Sequence, residues 1–273
     1  MFDILEGRDE FYELARKWVE EWFSSGTFTI SQKDTEIIED LVKGFNYDAF
    51  RNFRDPIERD ENKWKNLVAK ADAQFKTFRK ECFKPGSYGE VGFAIALFLF
   101  TWNFQRFKEY FKRRRSLQLK AYFEGLGAFL KGKKNLLNDF ATKRLISGQI
   151  QEETAKQIFQ ELNTELVNLG IGANEPIGTV KLLHVFAPYY FPLLDNKIAQ
   201  ATELLHERQS LTKEHYIKWM NALKGWLTNF DGVVGTLESK FNSSILKLVD
   251  EGLYLMSSVR LERRVEKLGL KVD

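Results

Sequence analysis

The chain has 273 residues, of which 44% are hydrophobic and 29% charged, so it is a folded globular protein and not a disordered one. Its 41 basic and 38 acidic residues leave a net charge of +3, which by itself does not imply nucleic acid as a partner. The single cysteine, Cys82, excludes an intrachain disulfide framework and a cysteine-rich zinc site. Because the acidic, amphipathic N-terminus does not resemble a signal peptide, we expect a cytoplasmic protein.

Apolar residues recur with a 3.6-residue period along most of the chain, and this predicts an all-α, multi-helix fold. One face of the first helix is formed by Phe11, Leu14, Ala15, Trp18 and Trp22. Ser31 is expected to cap a second helix that ends at Gly44, and a long helix is expected to start near Pro56. The short stretch GTFTIS, residues 26–31, is the best strand candidate.

The longest apolar run, VGFAIALFLFTW at 91–102, predicts a core helix, since a bilayer span needs about 20 residues. Further helices are predicted at about 116–131, 134–146, 151–168, 211–229 and 237–268, with others starting at Gly178 and at Asp195. The turn KPGSYG at 84–89 predicts a boundary between an N-terminal helical region, 1–83, and a second helical region, 84–273. The two regions form either separate lobes or one continuous domain.

Three of the five prolines fall within PIGTVKLLHVFAPYYFPLLD, residues 176–195. The stretch before them, LGIGANEPIG at 169–178, predicts a glycine-containing corner between two helices. Free backbone amides at the start of a helix attract a phosphate, because they lack partners and lie at the positive end of the helix dipole. Gly178 and Thr179 are the candidates for this contact.

Lys181 follows within that second helix, and Asp195 opens the next helix after a proline-containing loop. Over roughly residues 150–205, this order resembles the helix-hairpin-helix Gly/Pro/Asp superfamily of DNA glycosylases. The resemblance implies a hairpin that grips the DNA backbone, Asp195 as the catalytic carboxylate, and Lys181 as the lysine that forms a Schiff base in bifunctional members. The hairpin here is longer than the family's L-P-G-V-G, and Lys181 falls one residue later than the family's lysine. Aspartate is also among the best N-caps, so a purely structural role remains open.

The segment WNFQRFKEYFKRRR, residues 102–115, is a second candidate site because it carries the densest basic cluster in the chain. The cluster contains Arg106, Lys108, Lys112, Arg113, Arg114 and Arg115. It is interpreted either as a phosphate-binding stripe or as basic residues favoured at a helix end. The residues expected to line a pocket for a flipped base are Trp102, Asn103, His184, Tyr189, Tyr190 and Phe191. For each of these, a role in the core is the alternative.

These observations together favour a DNA repair enzyme that cleaves an N-glycosidic bond in duplex DNA, with damaged DNA as one substrate. We expect no cofactor and no metal, since His184, His206 and His215 lack metal-ligand spacing, and no membrane association. The first alternative is a nucleic-acid-binding protein without catalysis. The second is a helical scaffold that binds a partner, because 24 phenylalanines and six tryptophans could supply an aromatic groove.

Overall fold

The computed structural model describes residues 4–26, 31, 33–34, 91–92, 94–96, 98–99, 119–169, 175–206 and 209–257. Regular secondary structure in these residues is helical, which confirms the all-α prediction. The helices are α1 (Ile4–Ser25), α2 (Leu119–Ala141), α3 (Glu152–Asn168), α4 (Pro176–Phe186), α5 (Asn196–Ala201), α6 (Lys213–Thr228), α7 (Asp231–Phe241) and α8 (Ile245–Ser257). Most of the predicted strand at 26–31 and the predicted boundary near 84 lie outside the described residues. No helix in the described part of the chain is long and apolar enough to cross a membrane.

Contacts between residues divide the chain into two compact units, Met1–Gly132 and Lys133–Asp273, and the division falls within α2. In the first unit the apolar face of α1 is buried through Tyr12, Leu14, Ala15, Trp18, Val19 and Trp22, as the sequence predicts. The described part of the apolar run is helical and buried through Ala94, Ile95, Ala96, Phe98 and Leu99. The prediction of a core helix is therefore confirmed for these residues.

Ser31 begins a helical turn, as predicted. The Asp34 amide donates to Ser31 Oγ at 3.1 Å, and the Ser31 amide donates to Asp34 Oδ2 at 2.8 Å. This reciprocal pair satisfies two backbone donors that a helix start leaves without partners. Lys17 Nζ of α1 lies 3.7 Å from Asp34 Oδ2, so the buried Asp34 carboxylate also has a cation nearby.

Helix α2 is continuous from Leu119 to Ala141, so the predicted break between helices at 116–131 and 134–146 is wrong. Gly132, which lies between the two predicted helices, is exposed, and a Cβ there would meet no atom within 4 Å. One glycine costs a helix only about 1 kcal/mol. The buried positions Leu126, Leu130, Leu137 and Phe140 continue the helical period across it.

The predicted single helix at 237–268 is also wrong, because α7 ends at Phe241 and α8 begins at Ile245. Asn242 between them has φ 47° and ψ 42°, a left-handed conformation that terminates helices. Ser244 then caps α8 by accepting a hydrogen bond from the Lys247 amide at 3.2 Å. Asn242 and Ser244 therefore end one helix and start the next, although the apolar residues keep a helical period across this point.

Helix α4 is the most buried helix of the second unit. All of its residues are buried except Ile177 and Lys181, which are half-buried. It packs against α3, and α3 packs against α6; contacts then link α6 to α7, α7 to α8 and α8 to α5. The helix begins at Pro176, two residues earlier than predicted, because proline suits the first helical position. A helix that is apolar on nearly every side is a core helix. Lys181 is therefore a charged residue on a core helix, which is unusual.

Candidate functional site

The loop that joins α4 to α5, residues 187–195, is held by hydrogen bonds from α6. The Tyr216 hydroxyl donates to the Pro192 carbonyl at 2.8 Å, and Trp219 Nε1 donates to the Leu193 carbonyl at 3.1 Å. Both donors are buried side chains, so these bonds are shielded from water. The path of the chain towards Asp195 is therefore fixed by the core of the unit.

Two predicted pocket residues, His184 and Tyr190, are core residues. His184 is fully buried, and its Nδ1 lies 2.7 Å from the Phe191 carbonyl oxygen, to which an N–H at this position donates. The Tyr190 hydroxyl accepts a hydrogen bond from the Gln151 amide at 2.8 Å, and burial raises the Tyr190 pKa. Phe191 is also fully buried, with its ring centroid 4.8 Å from that of Phe140. The side chains of His184, Tyr190 and Phe191 are therefore part of the hydrophobic core around the α4–α5 loop.

Tyr189, the neighbouring predicted pocket residue, is half-buried. The guanidinium carbon of Arg144 lies 4.8 Å from its ring centroid, which is a cation–π distance. Arg144 also forms an ion pair with the buried carboxylate of Glu238 on α7. The Tyr189 ring therefore already contacts a charged group of the protein, the Arg144 guanidinium.

The two residues expected at the hairpin, Gly178 and Thr179, are buried in the first turns of α4. The Thr179 amide donates to the Glu175 carbonyl at 3.0 Å, and its hydroxyl donates to the same oxygen at 3.0 Å. Gly178 occupies the third helical position, where a backbone amide has no partner within the helix. Residues 170–174, the glycine-rich part of the hairpin, lie outside the described residues.

The basic segment and its flanking pocket residues also lie outside the described residues. They are Trp102, Asn103, Arg106, Lys112, Arg113, Arg114 and Arg115. Their expected contacts with phosphate and with a flipped base remain predictions.

Asp195 is the N-cap of α5, as its residue type and position predict. Its backbone is extended, with φ −113° and ψ 170°, and its Oδ1 accepts a hydrogen bond from the Ile198 amide at 2.7 Å. The carboxylate is half-buried, and the described hydrogen bond uses only Oδ1. A capping role therefore does not exclude a second role for the same carboxylate.

Lys181 and Asp195 both act electrostatically on a third residue, Asp250 of α8. The pKa of Asp250 is raised to about 7, chiefly by burial and also by the Asp195 charge, whereas the Lys181 charge opposes this rise. Helix α8 packs against α5, the helix that Asp195 caps. The charges of the predicted lysine and aspartate thus both influence a carboxyl that the sequence analysis did not select.

Two further residues of α8, Lys247 and Glu251, complete this group. Lys247 is buried, and its ammonium forms an ion pair with Glu251 one turn later. Both charges also act on Asp250. We call the five residues the corner cluster: Lys181, Asp195, Lys247, Asp250 and Glu251. In the described part of the chain, no group of three or more histidine, cysteine, aspartate or glutamate side chains is placed to hold a metal ion.

Comparison with protein-family models, with curated proteins and with solved structures finds no match to this chain. The resemblance of the corner to helix-hairpin-helix glycosylases therefore depends on the order of its own residues. The functional argument depends on the chemistry of the corner cluster.

Proposed function

We propose that the chain is a cytoplasmic DNA-binding enzyme that cleaves an N-glycosidic bond at a flipped base, with Asp195 and Lys181 as the acting residues. One observation carries the proposal: the two residues that the resemblance selects act on the same carboxyl, Asp250. Both are half-buried, so each remains partly accessible from outside the core. Lys181 also lies on a helix whose other residues are nearly all buried. A charged side chain is costly in such a place, so its presence needs an explanation, whereas a solvated surface lysine needs none.

The proposed reaction breaks the bond between the sugar C1′ and the base nitrogen. The base leaves with the bonding electron pair, and positive charge develops on the sugar. The Asp195 carboxylate stabilises that charge in a site where surrounding protein strengthens electrostatic interactions. Water then gives its hydroxyl to C1′ and its remaining proton to the departing base.

Lys181 adds a second possible outcome at the same carbon. Its neutral amine attacks C1′ of the opened sugar, and loss of water from the adduct gives a Schiff base. The amine must first lose its proton, because only the neutral form is a nucleophile. The bonds from Tyr216 and Trp219 fix the loop that carries Asp195, and such preorganisation is what a charge-stabilising group requires.

The first experiment compares binding of the full chain to two labelled duplexes across a salt series. One duplex is intact, and the other contains an abasic-site mimic. A steep fall of affinity with salt, together with preference for the abasic mimic, is the expected result. A steep salt dependence without preference would instead favour a binding protein without catalysis. Absence of binding at low salt would overturn both proposals that involve nucleic acid.

The second experiment assigns the reaction to its residues. Asp195→Asn keeps a good N-cap but removes the charge, so we expect base release to fall by a factor of about 100 or more with little change in stability. Lys181→Met should abolish borohydride trapping of the sugar on the protein. Lys240→Met, on the exposed face of α7, is the matched control and should leave both readouts unchanged.

The helical-scaffold alternative has one observation in its favour, which is an apolar stripe on α7. Phe230, at its N-terminus, is 46% exposed, Val233 is 50% exposed and Phe241 is 55% exposed. The spacing of these residues places them on one side of the helix. Their combined exposed area is small for an interface, which normally buries about 800 Å² per partner.

A further inference from the structure

Three consecutive backbone carbonyls of the α4–α5 loop each accept a hydrogen bond from a buried side chain. The first carbonyl, that of Phe191, accepts from His184 Nδ1 of α4 at 2.7 Å. The two carbonyls that follow it accept from the Tyr216 hydroxyl at 2.8 Å and from Trp219 Nε1 at 3.1 Å. None of the three donor residues is more than 1% exposed. Two helices, α4 and α6, therefore hold the same stretch of the loop.

The donors on α6 are themselves held by packing in the core. The ring centroid of Tyr216 lies 5.4 Å from that of Phe159 on α3 and 6.4 Å from that of Phe191 in the loop. Tyr216 and Trp219 lie three residues apart, so they share one face of α6. Since both are buried, water does not compete for their hydrogen bonds. The loop therefore cannot shift unless packed side chains of the core shift with it.

The last of the three anchored carbonyls belongs to Leu193, only two residues before Asp195. Leu194, the residue between them, is 1% exposed and so is also held in the core. Because consecutive Cα atoms are about 3.8 Å apart, the Asp195 Cα stays within about 7.6 Å of the Leu193 Cα. On its other side, Asp195 Oδ1 accepts a hydrogen bond from the Ile198 amide at 2.7 Å. The carboxylate is thus fixed in place by the anchored loop before it and by the helix that it caps.

We propose that His184, Tyr216 and Trp219 are positioning residues, which hold the Asp195 carboxylate where positive charge develops on the sugar. The inference rests on the proposed function, in which Asp195 stabilises that charge. A charged group stabilises a transition state most when it does not have to move during the reaction. Displacement of such a group by about 1 Å costs a factor of about 100 in rate. The three donors touch neither DNA nor the reacting atoms, and they act through the loop backbone.

The first test measures hydrogen exchange of the Ile198 amide by NMR in the full chain, without DNA. This amide is bonded to the Asp195 carboxylate, so its protection reports whether the carboxylate keeps its place. Tyr216→Phe removes one hydroxyl and leaves the ring. We expect it to speed exchange at Ile198 by roughly threefold to tenfold, the range that corresponds to the loss of one hydrogen bond. Exchange no faster than in the wild type would overturn the inference.

Lys224→Met is the matched control, because it removes a hydrogen bond of the same kind from the same helix. Lys224 Nζ donates to the Gly148 carbonyl at 2.6 Å, in the loop that precedes α3. This variant should leave exchange at Ile198 unchanged. Equal acceleration by Lys224→Met and Tyr216→Phe would show a general loosening of α6 and would overturn the inference.

His184 provides an independent pair of variants on the other helix. His184→Asn keeps a nitrogen donor near the position of Nδ1, whereas His184→Leu has no donor. We expect exchange at Ile198 to stay close to that of the wild type in His184→Asn. In His184→Leu it should be faster by roughly threefold to tenfold. Equal exchange in the two variants would mean that the bond to Phe191 does not position Asp195.

The second test measures base release in a single turnover at saturating duplex, together with affinity for the duplex that contains the abasic-site mimic. We expect Tyr216→Phe to slow base release by roughly 10-fold to 100-fold and to leave the affinity unchanged. Lys224→Met should not change the rate of base release. Loss of affinity with an unchanged rate in Tyr216→Phe would overturn the inference, because a positioning residue acts on the reaction and not on binding.

The two tests separate this inference from the proposed function. If Tyr216→Phe speeds exchange at Ile198 but the wild-type chain releases no base, the anchoring of Asp195 is supported and the proposed function is wrong. If the wild-type chain releases a base but Tyr216→Phe changes neither exchange nor rate, the proposed function is supported and the positioning role is wrong.

Discussion

Replacement of Asp195 separates its two roles, because alanine and asparagine remove different parts of the side chain. Alanine removes the acceptor for the Ile198 amide, a 2.7 Å hydrogen bond at the start of a six-residue helix. Loss of such an N-cap costs about 1 kcal/mol, within a range of roughly 0.5–2 kcal/mol. Asparagine accepts the same bond and is an equally good N-cap. We therefore expect Asp195→Ala to lower the free energy of unfolding by about 1 kcal/mol and Asp195→Asn to change it by only about 0.3 kcal/mol at pH 5.

The size of these effects should depend on pH through Asp250. Its pKa is about 7 in the folded chain and is raised from 3.8, so it favours folding most fully below pH 4. That contribution is lost as the pH rises towards 7, because the unfolded chain is then ionised while the folded carboxyl still holds its proton. At pH 8 the Asp250 carboxyl is ionised, and the Asp195 charge repels it. Removal of the Asp195 charge relieves this repulsion, so Asp195→Ala should cost less at pH 8 than at pH 5.

Urea unfolding of the full chain at pH 5 and pH 8 measures both effects. Asn196→Ala, one residue later and exposed, is the control and should stay within about 0.5 kcal/mol of the wild type. Equal destabilisation by alanine and asparagine at pH 5 would refute the capping argument. An identical cost of Asp195→Ala at the two pH values would refute the coupling to Asp250.

Three other substitutions test the packing of the two units. Gly92→Ala should destabilise the chain by roughly 2–3 kcal/mol in thermal unfolding, because a Cβ there would overlap the Phe123 carbonyl. Gly132→Ala, in open space on α2, should stabilise it by about 0.5–1 kcal/mol, and equal effects of the two changes would contradict the packing described. Tyr190→Phe removes the acceptor of the Gln151 amide and should cost about 1–2 kcal/mol in urea unfolding; an unchanged midpoint would mean that the bond contributes nothing.

Interactions between near neighbours in the chain were predictable from the sequence. The apolar period identifies the buried face of α1, and Ser31 and Asp195 each begin a helix as their residue types predict. These features depend on residues within one or two turns of each other. The same reasoning failed near Gly132, where it predicted two helices instead of one continuous helix, and at Asn242, where it missed the left-handed residue that ends α7.

The tertiary structure decided which polar groups meet. Sequence reasoning selected Lys181 and Asp195, but it missed Asp250, which a pattern of leucines four residues before and three residues after it could have revealed. It also placed His184 and Tyr190 in a pocket, whereas both side chains are buried, and they contact the Phe191 carbonyl and the Gln151 amide. The sequence by itself determined that the chain is helical and that Ser31 and Asp195 begin helices, because these interactions are local. The charge state of Asp250 depends on charged groups of α4, α5 and α8 that are distant in sequence, and the apolar periods of these helices do not encode which polar side chains influence one another.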